Sequence, residues 1–165
     1  MREVEGSLDA RDLQVGVAVS SFNQVVTEGL LEGALRVLKQ AGGQDVTVVR
    51  VPGAWELPLA VRRLAEAGCQ TVVALGALIE GETDHYRYLA AEASAGLRQV
   101  MLERDVAVGF GVLTVRRLSQ ARERSLPGPG NKGAEAAEAA VRTAMVLRAL
   151  RRGSGAGTGS CSRPG

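Results

Sequence analysis

Thr71-Val-Val-Ala-Leu75, continued by Gly76-Ala-Leu-Ile-Glu-Gly-Glu-Thr-Asp-His-Tyr86, is the stretch on which the fold turns. An unbroken β-branched and apolar run reads as a strand covered on both faces, the mark of a parallel sheet. A helical pattern follows from about Thr83 to Glu103, with Leu89, Ala93, Leu97 and Val100 along one face. The polar junction between them lies outside the carboxyl end of a strand, where parallel α/β sheets present their chemistry. It also holds the chain's only histidine, His85.

Working outward, Leu13–Ser20, Val46–Val51 and Val106–Leu113 are runs of the same kind as Thr71–Leu75. Between the first two, Leu30, Leu31, Ala34, Leu35 and Leu38 recur at helical spacing, and Gly42-Gly43 ends the run. Between the second and third, Leu59, Val61 and Leu64 follow Pro58, and Gly68 closes the pattern. After the last strand come helical stretches over about Leu118–Leu126 and from about Lys132 to Arg151, split by Pro127-Gly-Pro-Gly130. Strands alternating with helix-length connections predict an α/β protein with right-handed crossovers. The expected architecture is a three-layer α/β/α sandwich with a four-stranded parallel sheet, flavodoxin-like in type.

A chain of 165 residues makes one domain with a core of its own. Residues 13–151 carry the pattern. Residues 1–12 form an N-terminal leader, loose in a monomer or docked on a neighbouring subunit. Residues 152–165 read as a flexible Gly/Ser-rich tail. The net charge of +2, with basic residues spread among acidic ones, gives no basis for nucleic-acid binding. No apolar stretch approaches the ~20 residues of a membrane span. The charged start lacks an apolar signal core, so a cytoplasmic, reduced protein is expected. Of the two cysteines, Cys69 is expected to be buried and Cys161 falls in the tail.

Aromatic residues make up only 3% of the chain, yet Phe22, Trp55, Tyr86, Tyr88 and Phe110 all fall in or beside the strand-end segments. Phe22 offers a flat face for a planar ring or serves as a capping core residue. Asn23 is read as the N-cap of the next helix. Glu56, in Gly53-Ala-Trp-Glu-Leu-Pro58, either complements a helix dipole or accepts hydrogen bonds from a polar ligand. Gly81, Glu82 and Thr83 lead into a helix start whose N–H groups suit a phosphate. Glu80, Glu82 and Asp84 make that loop acidic, so an anion there needs a cation from elsewhere. Their spacing with His85 matches no metal-ligand set, and no metal is expected. Arg122, Arg124 and Lys132 bracket the Pro-Gly loop, as phosphate ligands or as solvated helix charges. An unperturbed imidazole titrates near pH 6.5, so His85 can move protons at neutral pH, unless it is only a surface or core residue.

Phe22-Asn23, Gly53–Pro58, Gly76–Tyr86, Phe110-Gly-Val-Leu-Thr114 and Gly130-Asn-Lys-Gly133 together resemble the ordered motifs of the 6,7-dimethyl-8-ribityllumazine synthase family. The resemblance runs from about Gly6 to Leu150. It implies a cofactor-free condensation of 5-amino-6-(D-ribitylamino)uracil with 3,4-dihydroxy-2-butanone 4-phosphate, the penultimate step of riboflavin biosynthesis. It further implies that the pyrimidine stacks on Phe22, with ring and ribityl chain held by Ala54, Trp55, Glu56, Ala77, Leu78 and Ile79. Glu82, Thr83 and Arg124 would bind the phosphate, and His85 would transfer protons. Phe110 and Lys132 would also hold the pyrimidine substrate, and these two and Arg124 would come from an adjacent subunit, in a homopentamer or a 60-subunit shell of pentamers. The short Ser125–Gly130 connection resembles shell-forming members.

Two departures stand out. The family commonly has an arginine or lysine where Glu80 stands, and Asn and Glu in the stretch that here reads Val115-Arg-Arg-Leu-Ser-Gln-Ala121. Two other readings use the same fold: a flavin- or lumazine-binding protein without turnover, and a shell-forming protein with degenerate sites. Keeping both His85 and Arg124 favours the enzyme.

Overall fold

The computed structural model describes residues 1–154. Four strands form one parallel sheet: β1 (Gln14–Ser20), β2 (Asp45–Val51), β3 (Thr71–Ile79) and β4 (Ala107–Val115), in the order β2-β1-β3-β4. Helix α1 (Gln24–Gln40) and the terminal helix α5 (Lys132–Ser154) cover one face. Helices α2 (Leu57–Glu66) and α3 (His85–Arg104) cover the other. The short α4 (Leu118–Ser125) joins β4 to the α5 side. This is the expected sandwich with flavodoxin-like strand order.

Strand alternation divides the core in two. Val15, Val17, Val19, Val73 and Leu75 face α1 and α5, whereas Ala18, Val72, Ala74 and Val112 face α2 and α3. Helix α5 lies close to the sheet because its inward face is alanine: Ala136, Ala137, Ala140 and Ala144 are all buried. A side chain at Gly109 would run into the Ala136 carbonyl, so small residues on both sides set the spacing. The buried Thr71 hydroxyl lies 3.0 Å from the Ala107 carbonyl and 3.1 Å from that of Ala140, linking β3, β4 and α5.

Several boundaries differ from expectation. β3 continues four residues beyond Leu75 and β4 two beyond Leu113, so both strand ends reach further toward the rim. Helix α3 begins at His85 rather than Thr83. Helix α5 runs through Ser154, so residues 152–154 extend a helix where the tail was expected to start. The rest of that tail, with Cys161, lies outside the described residues.

In the leader, Gly6 and Ala10 are buried and Leu8 packs on the core. Arg142 donates to the Gly6 carbonyl (3.1 Å) and the Ala10 N–H donates to Ala41 (2.9 Å), so this part docks on its own chain. Beside it, Arg11 holds the Asp9 carboxyl down at about 2, chiefly through their side-chain hydrogen bond. Cys69 is only half-buried, against expectation, and desolvation raises its thiol pKa.

Candidate active site

The chain leaves β1 toward β2 on one side and later reaches β3 on the other, so the carboxyl ends of β1 and β3 flank a topological switch point. Such a point opens a crevice in doubly wound sheets. A cleft of about 770 Å³ lies there. Three strand exits build it. Phe22 and Asn23 follow β1, Gly53–Glu56 follow β2, and Ala77, Leu78 and Ile79 end β3. Gly81, Thr83, His85, Tyr86, Tyr88 and Leu89, from the loop after β3 and the start of α3, complete the wall.

Backbone bonds stitch these exits together. Ser21 N–H donates to the Val51 carbonyl (2.8 Å), and Phe22 N–H to that of Pro52 (3.0 Å), which sets Phe22 beside the Gly53–Glu56 turn. That turn is closed by Gly53 N–H donating to Glu56 Oε2 at 2.9 Å. At its far side, Glu80 N–H donates to the Val115 carbonyl (2.8 Å), tying the end of β3 to β4. Helix α3 has no side-chain cap at Asp84, so its first N–H groups face the loop holding Thr83.

Asn23 corrects the sequence reading. It occupies the N-cap position of α1, but its side chain makes no capping bond. Its backbone is left-handed (φ 59°), a conformation asparagine tolerates better than most residues. The carboxamide turns away from the helix and donates to the Ala77 carbonyl at 3.1 Å, bracing β1's exit against β3.

Apolar rings dominate the cleft and stay open to solvent: Phe22 is 72% exposed, Trp55 60% and Tyr88 69%. Large exposed aromatic surface concentrated in one cleft marks a place where something docks. His85 opens the helix at the mouth and is exposed. The model of the 6,7-dimethyl-8-ribityllumazine synthase family matches residues 12–148. The chain belongs to that family.

It is thus an enzyme of riboflavin biosynthesis, forming 6,7-dimethyl-8-ribityllumazine by condensation. Of the residues that the lumazine synthase resemblance pointed to, Phe22, Ala54, Trp55, Glu56, Ala77, Leu78, Ile79, Thr83 and His85 line this one cleft. Glu82 sits in the same loop, exposed, without lining it. Phe110, Arg124 and Lys132 do not line it either. Phe110, 51% exposed, lies in a second, shallow groove of about 280 Å³ between β4 and α3. Arg124, on α4, donates to the Gln120 carbonyl (3.0 Å), and Lys132, at the start of α5, pairs with Glu135 (2.7 Å).

The sequence reading left Asn23, Tyr86, Tyr88 and Leu89 out of the binding set, although the clustering of aromatics near strand ends had marked the two tyrosines. The two departures from the family pattern meet in space, with Arg116 Nε 3.8 Å from Glu80 Oε2 in an exposed pair. Such a pair contributes about 0–1 kcal/mol. Among the described residues, no group of His, Cys, Asp and Glu is arranged to hold a metal ion, and no helix is long and apolar enough to cross a membrane.

Proposed function

We propose that 5-amino-6-(D-ribitylamino)uracil and 3,4-dihydroxy-2-butanone 4-phosphate condense in this cleft, completed by Phe110, Arg124 and Lys132 of a second copy of the chain. One observation carries this reading: the cleft holds the only histidine and the aromatic walls, yet none of its lining residues is lysine or arginine. A phosphomonoester bound beside Glu82 and Thr83 needs a cation, and this chain carries Arg124 and Lys132 outside its own cleft. A ring of copies, each lending its cations to the next, supplies every site. The pyrimidine lies on Phe22, flanked by Trp55, while Glu56 and the backbone of Ala77–Ile79 take its polar edges.

The chemistry asks for proton transfers and charge stabilisation. The pyrimidine's free amine adds to the ketone, and water leaves as the imine forms. A proton is lost from the adjoining carbon, and the carbon–oxygen bond to phosphate breaks, releasing inorganic phosphate. The enol left by this elimination takes a proton at its terminal carbon and loses one from its hydroxyl to become a ketone, which the ribityl-bearing nitrogen attacks, closing the ring with loss of another water. His85, at the mouth beside Thr83, takes and returns these protons. Arg124 stabilises the charge that develops on the departing phosphate. Much of the acceleration comes from holding two substrates in one orientation.

The copies form pentamers that work in the cytoplasm, and the short connection over residues 125–130 favours their closing into a 60-subunit shell. Sedimentation distinguishes pentamer from shell. The product's absorbance on mixing the two substrates separates enzyme from binding protein. Arg124→Ala is expected to raise KM for the butanone phosphate by about tenfold or more, the scale of a lost charge-assisted hydrogen bond, with little change for the pyrimidine. Equal effects on both substrates refute the phosphate role. Coexpressed His85→Ala and Arg124→Ala chains should show a kcat/KM for the butanone phosphate above that of either variant alone, since some junctions then have both halves intact. No recovery would mean that cleft and cation belong to the same chain.

A further inference from the structure

Asn131 lies in the Pro-Gly connection between two residues of the proposed exported set, Arg124 and Lys132, and is 1% exposed. Its Oδ1 accepts from Ala134 N–H at 2.9 Å, an N-cap bond for α5. Its amide nitrogen does something a cap does not require. Nδ2 lies 3.0 Å from the Gly29 carbonyl on α1, 3.0 Å from the Ser125 carbonyl and 3.1 Å from the Leu126 carbonyl. One buried side chain thus fixes the residue following Arg124, the helix that begins with Lys132, and the helix that leads away from Phe22 and Asn23. The fit is tight, because a Cβ at Gly33 of α1 would collide with the Asn131 carboxamide.

We infer that Asn131 is a positioning residue for the reaction, the clamp that sets Arg124 and Lys132 at the angle at which the next subunit's cleft can use them. This rests on the reading that the cations are lent between copies. Asn131 touches no substrate. A carboxamide is suited to the task because it caps through oxygen while donating through nitrogen; a hydroxyl or a carboxylate cannot supply both hydrogens.

The test is Asn131→Ser, which keeps an oxygen for the α5 cap but loses the span to three carbonyls. KM for the butanone phosphate is expected to rise with Arg124 misplaced, and kcat/KM to fall by roughly tenfold to a hundredfold. Pyrimidine binding in the chain's own cleft, read by fluorescence titration, should change less than about threefold. Coexpression with His85→Ala supplies the decisive readout. The serine chain brings an intact cleft and the alanine chain brings intact cations, so random mixing restores about one junction in four. A merely structural defect would not be rescued this way, and absence of rescue overturns the clamp.

The His85→Ala with Arg124→Ala pair runs alongside. If that pair fails, the shared-site reading falls; if it succeeds and the serine pair does not, only the role of Asn131 falls. Should Asn131→Ser not fold, Gly33→Ala displaces the same carboxamide from the α1 side and is expected to give the same rescue by His85→Ala. Wild-type kinetics in Gly33→Ala would overturn the inference too.

Discussion

His85→Ala should turn over roughly a hundredfold more slowly than the wild type while binding the pyrimidine nearly as well. The expectation follows from where the side chain sits. It is exposed at the first position of α3, in the wall of the cleft that Phe22 and Trp55 also line, so removing it disturbs no core. In the proposed binding mode, ring stacking on Phe22 and the backbone of Ala77–Ile79 remain in place. The loss falls at the low end for general acid–base catalysis, because juxtaposition of the substrates supplies much of the rate and survives the change. Stopped-flow absorbance of the product gives the rate, and equilibrium titration with the pyrimidine gives the affinity. If pyrimidine binding disappears with the imidazole, His85 is part of the scaffold and proton transfer must be assigned to another group.

How much of this was legible in the sequence varies with the range of the interaction. All four strands and the order of helices follow from local apolar patterns. The places where chemistry collects follow too, because every parallel strand delivers its next loop to the same rim. What local reading misjudged is instructive. Gly76 looked like the end of a strand, yet β3 passes straight through it to Ile79. A side chain there would crowd Ser20 and Leu57, so the glycine serves close packing of neighbouring elements rather than a turn. Asn23 looked like a helix cap, and its rank as a capping residue is real. The carboxamide is instead spent on a carbonyl 54 residues away in sequence, which no window of neighbouring residues can reveal.

The same reason hides Asn131. Its cap on α5 could have been read from Asn-Lys-Gly, but its bond to Gly29 spans 102 residues. That Arg124 and Lys132 stand outside this chain's own cleft was expected only through the family resemblance. Composition along the chain gives no sign that Arg124 and Lys132 lie outside the cleft that their motifs suggest they serve.

Gly133→Ala is expected to lower stability by about 3 kcal/mol, although it puts a better helix former into the first turn of α5. The two effects oppose each other. Glycine to alanine inside a helix gains about 1 kcal/mol. Against this, a Cβ at Gly133 would fall on the carbonyl of Leu30, whose Cα lies 2.8 Å from it. These are backbone atoms, so no side chain can swing aside. α1 and α5 must part, and Leu30, Ala136 and Ala137, all nearly or fully buried, lose contacts in the same core. The clash wins because separating two helices costs many small contacts at once.

For a domain of this size, each kcal/mol moves the melting temperature by roughly 2–4 °C, so a fall of about 10 °C is expected at matched protein concentration. Gly130→Ala is the control: nothing lies within 4 Å of a Cβ built there, and its melting temperature should stay within about 2 °C of wild type. Calorimetry of both variants decides the matter. If Gly133→Ala melts at or above the wild-type temperature, α1 and α5 are not in contact at Leu30, and the close seat of Asn131 between them goes with it.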